Sequence, residues 1–472
     1  MASYVEVDQA EKKCMIVIVD RHVLWSLWCI DFLRNAVQEG MEIIVLDLSR
    51  FRPKHHMNNS KYLLTKLYRK NRIECILQRV MKNLRIQVIS AKKTRVQWES
   101  PRVRPHNKYP LSFLNGLDSQ YFEEIGAHIF SESQIASRVL NHSMDVYDAA
   151  FEITVNTIIE REITKVIVPG GRTLVPNAVI AATLNQKTLC TVLEQATSKS
   201  SRYLEYPIDF RQNTNSHQQE IDRVWAEGGE MKYQIAKNYL DAKLFGSQMG
   251  RNFFLQFDSN LAIPVPENCK LATIFVGSGF EMVPSEVDSQ ITHLGSKQQK
   301  DIFQLFIEIA SENGFTVVLR GHPASLGYEK MYAAEDLEWA EFCNENKVLH
   351  LASDSKIDTY KLIRESDLNV VYASTVGIDA IILGKNTLLL GNVDWAHLVP
   401  EICAFDKQSI RERFQDFKRD VDVEKLYPYA FYMECGGIEI SHVEFRPDGS
   451  IFYEGQQIGA AKVPQLQKIF KR

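Results

Sequence analysis

The sequence predicts an α/β protein: two doubly wound parallel-sheet domains in tandem, followed by a tail of helices and a hairpin. Three observations carry this. Short runs of Val, Ile and Leu recur along the chain without strict alternation, as strands buried on both faces do. Most are separated by stretches of helical period, the β-α-β order of a parallel sheet. At 472 residues the chain is long enough for two or three full cores.

Taken in order, Met15–Val19 is a strand candidate, Trp25–Gln38 a helix capped by Gly40, and Glu42–Leu46 the next strand. No Gly-x-Gly-x-x-Gly follows the first strand, which argues against a dinucleotide site there. Ser60–Leu84 carries Leu63, Leu64, Leu67, Ile73, Leu77, Val80, Met81 and Leu84 at helical spacing, with a polar face rich in Lys and Arg. Such a stripe belongs to a core-packed helix or to a basic helix on an anionic membrane. Ser100–Pro110, with three prolines, is a loop. Ile135–Glu160 is mostly helical. Lys165–Val168 is a strand running into Pro169-Gly170-Gly171-Arg172, Val175–Leu184 a helix, and Leu189–Leu193 a strand ending at Glu194. One long helix is expected over Gln218–Leu244. Asp258–Asn268, with Pro264 and Pro266, is the expected linker.

The second half opens on the strand Leu271–Val276, which ends in Gly277-Ser278-Gly279-Phe280-Glu281. A helix starts at Ser296 with Gln299 as its capping-box partner and closes at Gly314. Thr316–Leu319 is a β-branched strand stopping at Arg320-Gly321-His322-Pro323. Pro cannot continue a ladder and holds His322 extended, so Arg320 and His322 arrive at a strand's carboxyl end. Open α/β sheets bind their ligands at that edge. A strand over Val348–Leu351, a helix over Asp358–Arg364, the strand Leu368–Tyr372, a helix closed by Gly384 and the strand Thr387–Leu390 complete this unit. The tail reads as helices, then a hairpin from Ile438–Phe445 through Arg446-Pro447-Asp448-Gly449 to Ser450–Tyr453. The expected domains are 1–257, with a basic segment at 50–108, the linker 258–268, the second domain 269–400 and the tail 401–472.

The net charge of −4 hides an asymmetry: residues 50–108 hold 17 Lys and Arg against Glu74 and Glu99, a local +15 that leaves −19 elsewhere. An anionic partner is expected there. The eight cysteines form no Cys-x-x-Cys pair, which excludes a zinc ribbon or redox motif and suits reduced core thiols. The first apolar run is too short for a signal segment or a span, so a cytoplasmic location is expected.

Ser374 and Thr375 stand where a strand hands over to a helix, a place where main-chain N–H groups and hydroxyls hold phosphate. Gly377 permits a close approach by backbone or ligand. With Arg320 and His322 on another strand end, and Ser278 and Glu281 on a third, these residues compose a phosphate or nucleotide pocket. Asp420-Val421-Asp422 matches the Asp-x-Asp of metal-dependent transferases but lies in a charged stretch after the sheet; it reads as a solvated face, and no metal is expected.

Three motifs in order resemble the capsule polysaccharide biosynthesis glycosyltransferases, a GT-B-fold family that includes bacterial Kdo transferases. They are Gly-Ser-Gly-Phe-Glu at 277–281, Arg-Gly-His-Pro at 320–323, and Tyr-Ala-Ser-Thr-Val-Gly-Ile-Asp-Ala at 372–380 with Leu-Gly-Lys at 383–385. The His-Pro element also resembles that of bacterial sialyltransferases, and Gly-Gly-Arg at 170–172 resembles the family's Asn-Gly-Arg region. The likeness spans roughly residues 130–400. It implies two Rossmann-like domains facing a cleft, with a nucleotide-sugar substrate in the second and no separate cofactor. By that analogy Arg320, His322, Ser374 and Thr375 meet the donor phosphate, Ser278 and Glu281 line the rim, Asp379 stands near the ribose, and Arg172 lies on the acceptor side. The sequence departs from the pattern with Gly at 170 and Asp, not the commoner Glu, at 379.

Transfer needs stabilisation of the leaving phosphate and, for inversion, a base facing it from the other domain. Asp20, His22 and Glu194, each at or just after a predicted strand, are the candidates. The resemblance implies a CMP-linked, Kdo-like or other nucleotide-sugar donor and a surface glycan or lipid-linked acceptor at the inner face of the cytoplasmic membrane. No nucleic acid is expected. Two alternatives stand beside it: a non-catalytic scaffold of a polysaccharide assembly complex, and a transferase of polyol phosphate from a CDP donor.

Overall fold

The computed structural model describes residues 13–18, 23–48, 77–90, 136–171, 173–196, 201–207, 214–250, 260–277, 296–322, 329–415, 421–441, 443–446 and 450–460. Asp20, His22, Arg172, Ser278 and Glu281, with most of the basic segment 50–108, lie outside them.

The fold class is the expected one. A seven-stranded sheet is built from β1 (Lys13–Ile18), β2 (Glu42–Asp47), β3 (Gln87–Ser90), β4 (Lys165–Pro169), β5 (Leu189–Gln195), β6 (Arg202–Pro207) and β12 (Ile438–Glu439), in the order β12-β6-β5-β4-β1-β2-β3. β1 through β5 are parallel; β6 runs antiparallel to β5, and β12 antiparallel to β6. Helix α1 (Val23–Gln38) lies against one face and α2 (Ala136–Arg161) and α3 (Leu174–Asn185) against the other. β1 reads Cys-Met-Ile-Val-Ile and is buried at each of these positions, because both faces are covered.

The second sheet is all parallel and five-stranded: β7 (Lys270–Phe275), β8 (Phe315–Arg320), β9 (Leu349–Leu351), β10 (Leu368–Val371) and β11 (Thr387–Leu389), in the order β11-β10-β7-β8-β9. Its helices are α6 (Ser296–Glu312), α7 (Glu329–Glu345), α8 (Thr359–Glu365) and α9 (Val376–Ile382). Both sheets share one winding of their parallel strands: from the first strand the chain runs outward on one side, then crosses and runs outward on the other. That reversal leaves a crevice beside the first strand, between β1 and β4 in the first sheet and between β7 and β10 in the second.

Several elements differ from the sequence reading. The helix expected over Gln218–Leu244 is two, α4 (Thr214–Glu227) and α5 (Lys232–Gly250), broken at Gly228-Gly229. Glycine is costly inside a helix, and Gly228 is pressed by a neighbour: a Cβ there would stand 2.8 Å from the Phe431 ring. The expected boundaries place both helices in the first domain, yet Ile221, Ala236 and Leu240 share a core with Leu271, Val318 and Trp395 of the second sheet. The tail contributes α10 (Lys407–Gln415) and α11 (Tyr427–Cys435). The single hairpin expected after it is divided. β12 joins the first sheet, while β13 (Val443–Phe445), β14 (Ser450–Tyr453) and β15 (Gln456–Ala460) form a separate antiparallel sheet. Of the stripe expected over Ser60–Leu84, the described part is core: Leu77, Val80 and Met81 are buried with Trp28 and Leu33. No described helix is long and apolar enough to cross a membrane. No disulfide joins the described cysteines, and burial pushes the thiols of Cys14, Cys29, Cys190 and Cys343 up to about 12.

Candidate functional site

Beside the second crevice, the end of β8 delivers Arg320, Gly321 and His322, and the end of β10 delivers Tyr372 through Thr375. β7 lies between those two strands, so the three strand ends share one edge, as their order in the sequence implies.

The side chains do not all do what the motifs imply. Arg320 is 1% exposed. Its guanidinium donates to the carbonyl of Ala352 and, at 2.9 Å, to that of Ser355. It thereby ties β8 to the turn after β9. Gly321 is fitted against the same turn, since a Cβ would meet Ser353 N at 2.8 Å and an Asp336 carboxylate oxygen at 2.9 Å. His322 remains half-buried at the rim.

Ser374 is buried, and its Oγ accepts from Val376 N–H at 3.3 Å. Gly377 does allow a close approach, but by protein: its Cβ position lies 2.9 Å from the Trp395 indole and from Val371. Asp379 is ion-paired with Lys243 of α5, their side chains 10% and 16% exposed. The Lys243 ammonium also reaches the Thr375 carbonyl at 3.5 Å, so it spans the first turn of α9. No motif flags Lys243; only the return of α5 to the second sheet brings it here.

Sequence reasoning misses Asp394 too, although the rule that flags Arg320 would have found it, since it follows β11 in Gly391-Asn392-Val393-Asp394. Burial raises its carboxyl from 3.8 to about 6, against the opposing pull of main-chain N–H groups. Gln218 of α4 holds this loop by donating to the Val393 carbonyl at 3.0 Å.

Around the first crevice, β4 ends in Gly170 at φ +77° and Gly171 at φ +141°, a turn that favours glycine. Asn177, 2% exposed on α3, braces it by donating to the Gly171 carbonyl at 3.1 Å. Glu194 is half-buried near the end of β5, opposite Leu204. Of Asp420-Val421-Asp422, Asp420 lies outside the described residues; Asp422 is exposed, as a solvated face implies, and caps a turn through Glu424 N–H at 3.0 Å, while Val421 packs on the core. Among the described residues no group of three His, Cys, Asp or Glu could hold a metal. A cleft of about 520 Å³ lies elsewhere, beside β6, lined by Glu205, Glu220, Arg223, Glu227, Phe431 and Cys435 among others. Arg223 is bound there to Glu220 and Glu227.

The class defined at this point is an α/β protein of two Rossmann-like sheets, with a polar cluster at the second crevice. No family model matches the chain, and no curated protein matches it by sequence. Solved structures similar to it include a putative UDP-N-acetylglucosamine 2-epimerase from Listeria monocytogenes, 12% identical with a TM-score of 0.27, covering 90% of this chain and 94% of that one. The beta Kdo 2,4 transferase of Thermosulfurimonas dismutans KpsC is 10% identical with a TM-score of 0.37, covering 59% and 85%. The Neisseria meningitidis UDP-GlcNAc 2-epimerase bound to UDP-GlcNAc is 11% identical with a TM-score of 0.25, covering 89% and 97%. Likeness at this level carries no statement of activity.

Proposed function

We propose that the chain is a GT-B-type glycosyltransferase that binds a nucleotide-sugar at the second crevice. The observation that supports this most is that Ser374 and Thr375, after β10, and His322, after β8, stand at the same edge of one parallel sheet with β7 between their strands. Ser374 and Thr375 would contact the donor phosphate with His322, and Asp379 would receive the ribose hydroxyls. Charge developing on the leaving phosphate would then meet donors already in place. Asp20, His22 and Arg172 follow β1 and β4 in sequence and lie outside the described residues; together with Glu194 they are the candidates to activate and hold a glycan or lipid-linked acceptor. The domain division of this reading is the first sheet as acceptor side and the second as donor side, and the basic segment 50–108 would meet an anionic acceptor or membrane.

One observation favours a second reading, the non-catalytic scaffold: Arg320 is engaged inside the protein. Incubation with CMP-, UDP- and GDP-sugars separates the two. The enzyme reading expects thermal stabilisation and slow donor hydrolysis by at least one of them. His322→Ala should lower hydrolysis by about a hundredfold, the lower range for one positioned group. Neither binding nor hydrolysis with any donor would leave the scaffold.

A further inference from the structure

We propose that the length of β6 left uncovered by β12 binds an extended, basic segment of a partner protein by strand addition. Glu205 supplies the main-chain pair, and Glu220 and Glu227 across the cleft supply the charge. The site lies apart from the second crevice and does not depend on nucleotide binding. It is open because the ladder stops early. In an antiparallel pair, alternate residues turn their N–H and C=O groups to opposite sides. Arg202 is turned to β5, since its carbonyl accepts from Ala196 N–H at 3.1 Å. Ser201 is turned outward, where its carbonyl accepts from Ile440 N–H at 2.8 Å. Tyr203 belongs to the same outward set and pairs with Ile438, and Glu205 comes next. In that register the residue opposite Glu205 would be Gly436. Its own groups are engaged elsewhere: the Gly436 N–H donates to the Tyr432 carbonyl at 2.7 Å, and its carbonyl accepts from Arg202 Nε at 3.0 Å. Among the described residues no strand pairs with Glu205 on that side. A donor and an acceptor side by side on a strand are the chemistry that takes up a peptide main chain.

The space beside Glu205 has room for such a guest. The cleft of about 520 Å³ extends from Glu205 and Ile438 to α4, Gly228-Gly229 and Phe431. A Cβ at Gly229 would meet nothing within 4 Å, so the cleft is not closed on that side. Its lining holds three glutamates against one arginine, Arg223. The Arg223 guanidinium binds both Glu220 and Glu227. Each carboxylate has about four acceptor positions, more than that one cation fills. The Glu227 side chain is 62% exposed, within reach of a basic side chain that enters from solvent. The surplus of negative charge selects a guest with Lys or Arg over a neutral or acidic one. Leu204, Val224 and Phe431 add apolar surface for the side chains between.

The test uses the full chain and a short synthetic peptide of alternating Lys and Val with both ends blocked, its binding read by fluorescence anisotropy. This peptide is expected to bind, and the same peptide with Glu in place of Lys is not. Glu220→Gln and Glu227→Gln together should weaken binding about tenfold, the scale of two exposed ion pairs. Two further peptides probe the main chain without altering the protein, one N-methylated at every Lys and the other at every Val. Alternate N–H groups face opposite sides, so one of the two should bind about fivefold more weakly, for the loss of a hydrogen bond, and the other as the parent does. Hydrogen exchange in β6 should slow when the parent peptide is bound, with no change in β8. Absence of binding, or a double variant that binds as tightly as wild type, would overturn the proposal. So would equal effects of the two methylated peptides, which would mean attraction by charge alone, or protection confined to elements other than β6.

Discussion

Arg320 shows how far a residue's neighbourhood in sequence tells its role. The strand end was legible from the β-branched run and Pro323, and the structure puts Arg320 at that end. The direction of its side chain was not, because Ala352 and Ser355 lie 32 and 35 positions on and meet it only through the pairing of β8 with β9. Truncation at this site should therefore be a stability lesion. Arg320→Met leaves two carbonyls without their donor, and urea unfolding should show a loss of about 3 kcal/mol. A variant as stable as wild type, with nucleotide binding lost, would return Arg320 to the donor site. Asp394 predicts the opposite sign. Its folded value of about 6 lies above the ordinary 3.8, so the ionised form is the one that folding disfavours. Its contribution is favourable below the unfolded value and is lost as pH rises through about 6. Asp394→Asn should thus stabilise the protein at pH 8 by up to about 2 kcal/mol, the cost of ionising the buried carboxyl less the hydrogen bonds that the carboxylate accepts. At pH 3.5 the gain should vanish. Melting curves at the two pH values decide it, and a gain that persists at low pH would show that carboxyl burial is not its cause.

At the scale of elements, the strands of both parallel sheets were the easiest to read, since burial on two faces writes itself as continuous apolar runs. The elements that escaped are those whose partners are remote. β6 is Arg-Tyr-Leu-Glu-Tyr-Pro, a strand whose polar positions become intelligible only with its neighbours. Arg202 donates to the carbonyls of Cys435, Gly436 and Gly437 at 2.8, 3.0 and 2.6 Å, which closes the end of α11. Gly437, at φ +80°, leaves no room for a Cβ, which would stand 2.5 Å from the Tyr203 carbonyl. These contacts turn the chain out of α11 and into β12, which is why the expected hairpin splits. The same reasoning explains the misassigned helices. Polar α4 and α5 carry no mark of the sheet they cover, whereas Gly228-Gly229 between them did announce the break, and Trp225, Tyr233 and Phe431 pack edge to face around it.

Across the whole molecule, the chain passes from the first sheet to the second and then back. After α11 the tail supplies β12 to the first sheet, and Ile440, Ile451 and Tyr453 enter the core that holds Trp28 and Leu33. Asp31, 1% exposed on α1, fastens that return: it accepts from Ser441 N–H at 2.8 Å, from Ser441 Oγ at 2.5 Å and from the Tyr203 hydroxyl at 3.2 Å. Arg34 adds an ion pair with Glu454 at 2.6 Å and lies over the Tyr453 ring. The first core is thus completed by residues more than four hundred positions away, a dependence that no local pattern in the sequence encodes. It has a measurable consequence. Joint Ile451→Ala and Tyr453→Ala changes remove two buried side chains from that core, at about 3 kcal/mol each. Hydrogen exchange followed by mass spectrometry should then show faster exchange in β1, β2, β4 and β5, with β7, β8 and β10 unchanged. Equal acceleration in both sheets would mean that the two cores unfold as one unit, coupled through α4 and α5, and that the tail stabilises the molecule as a whole.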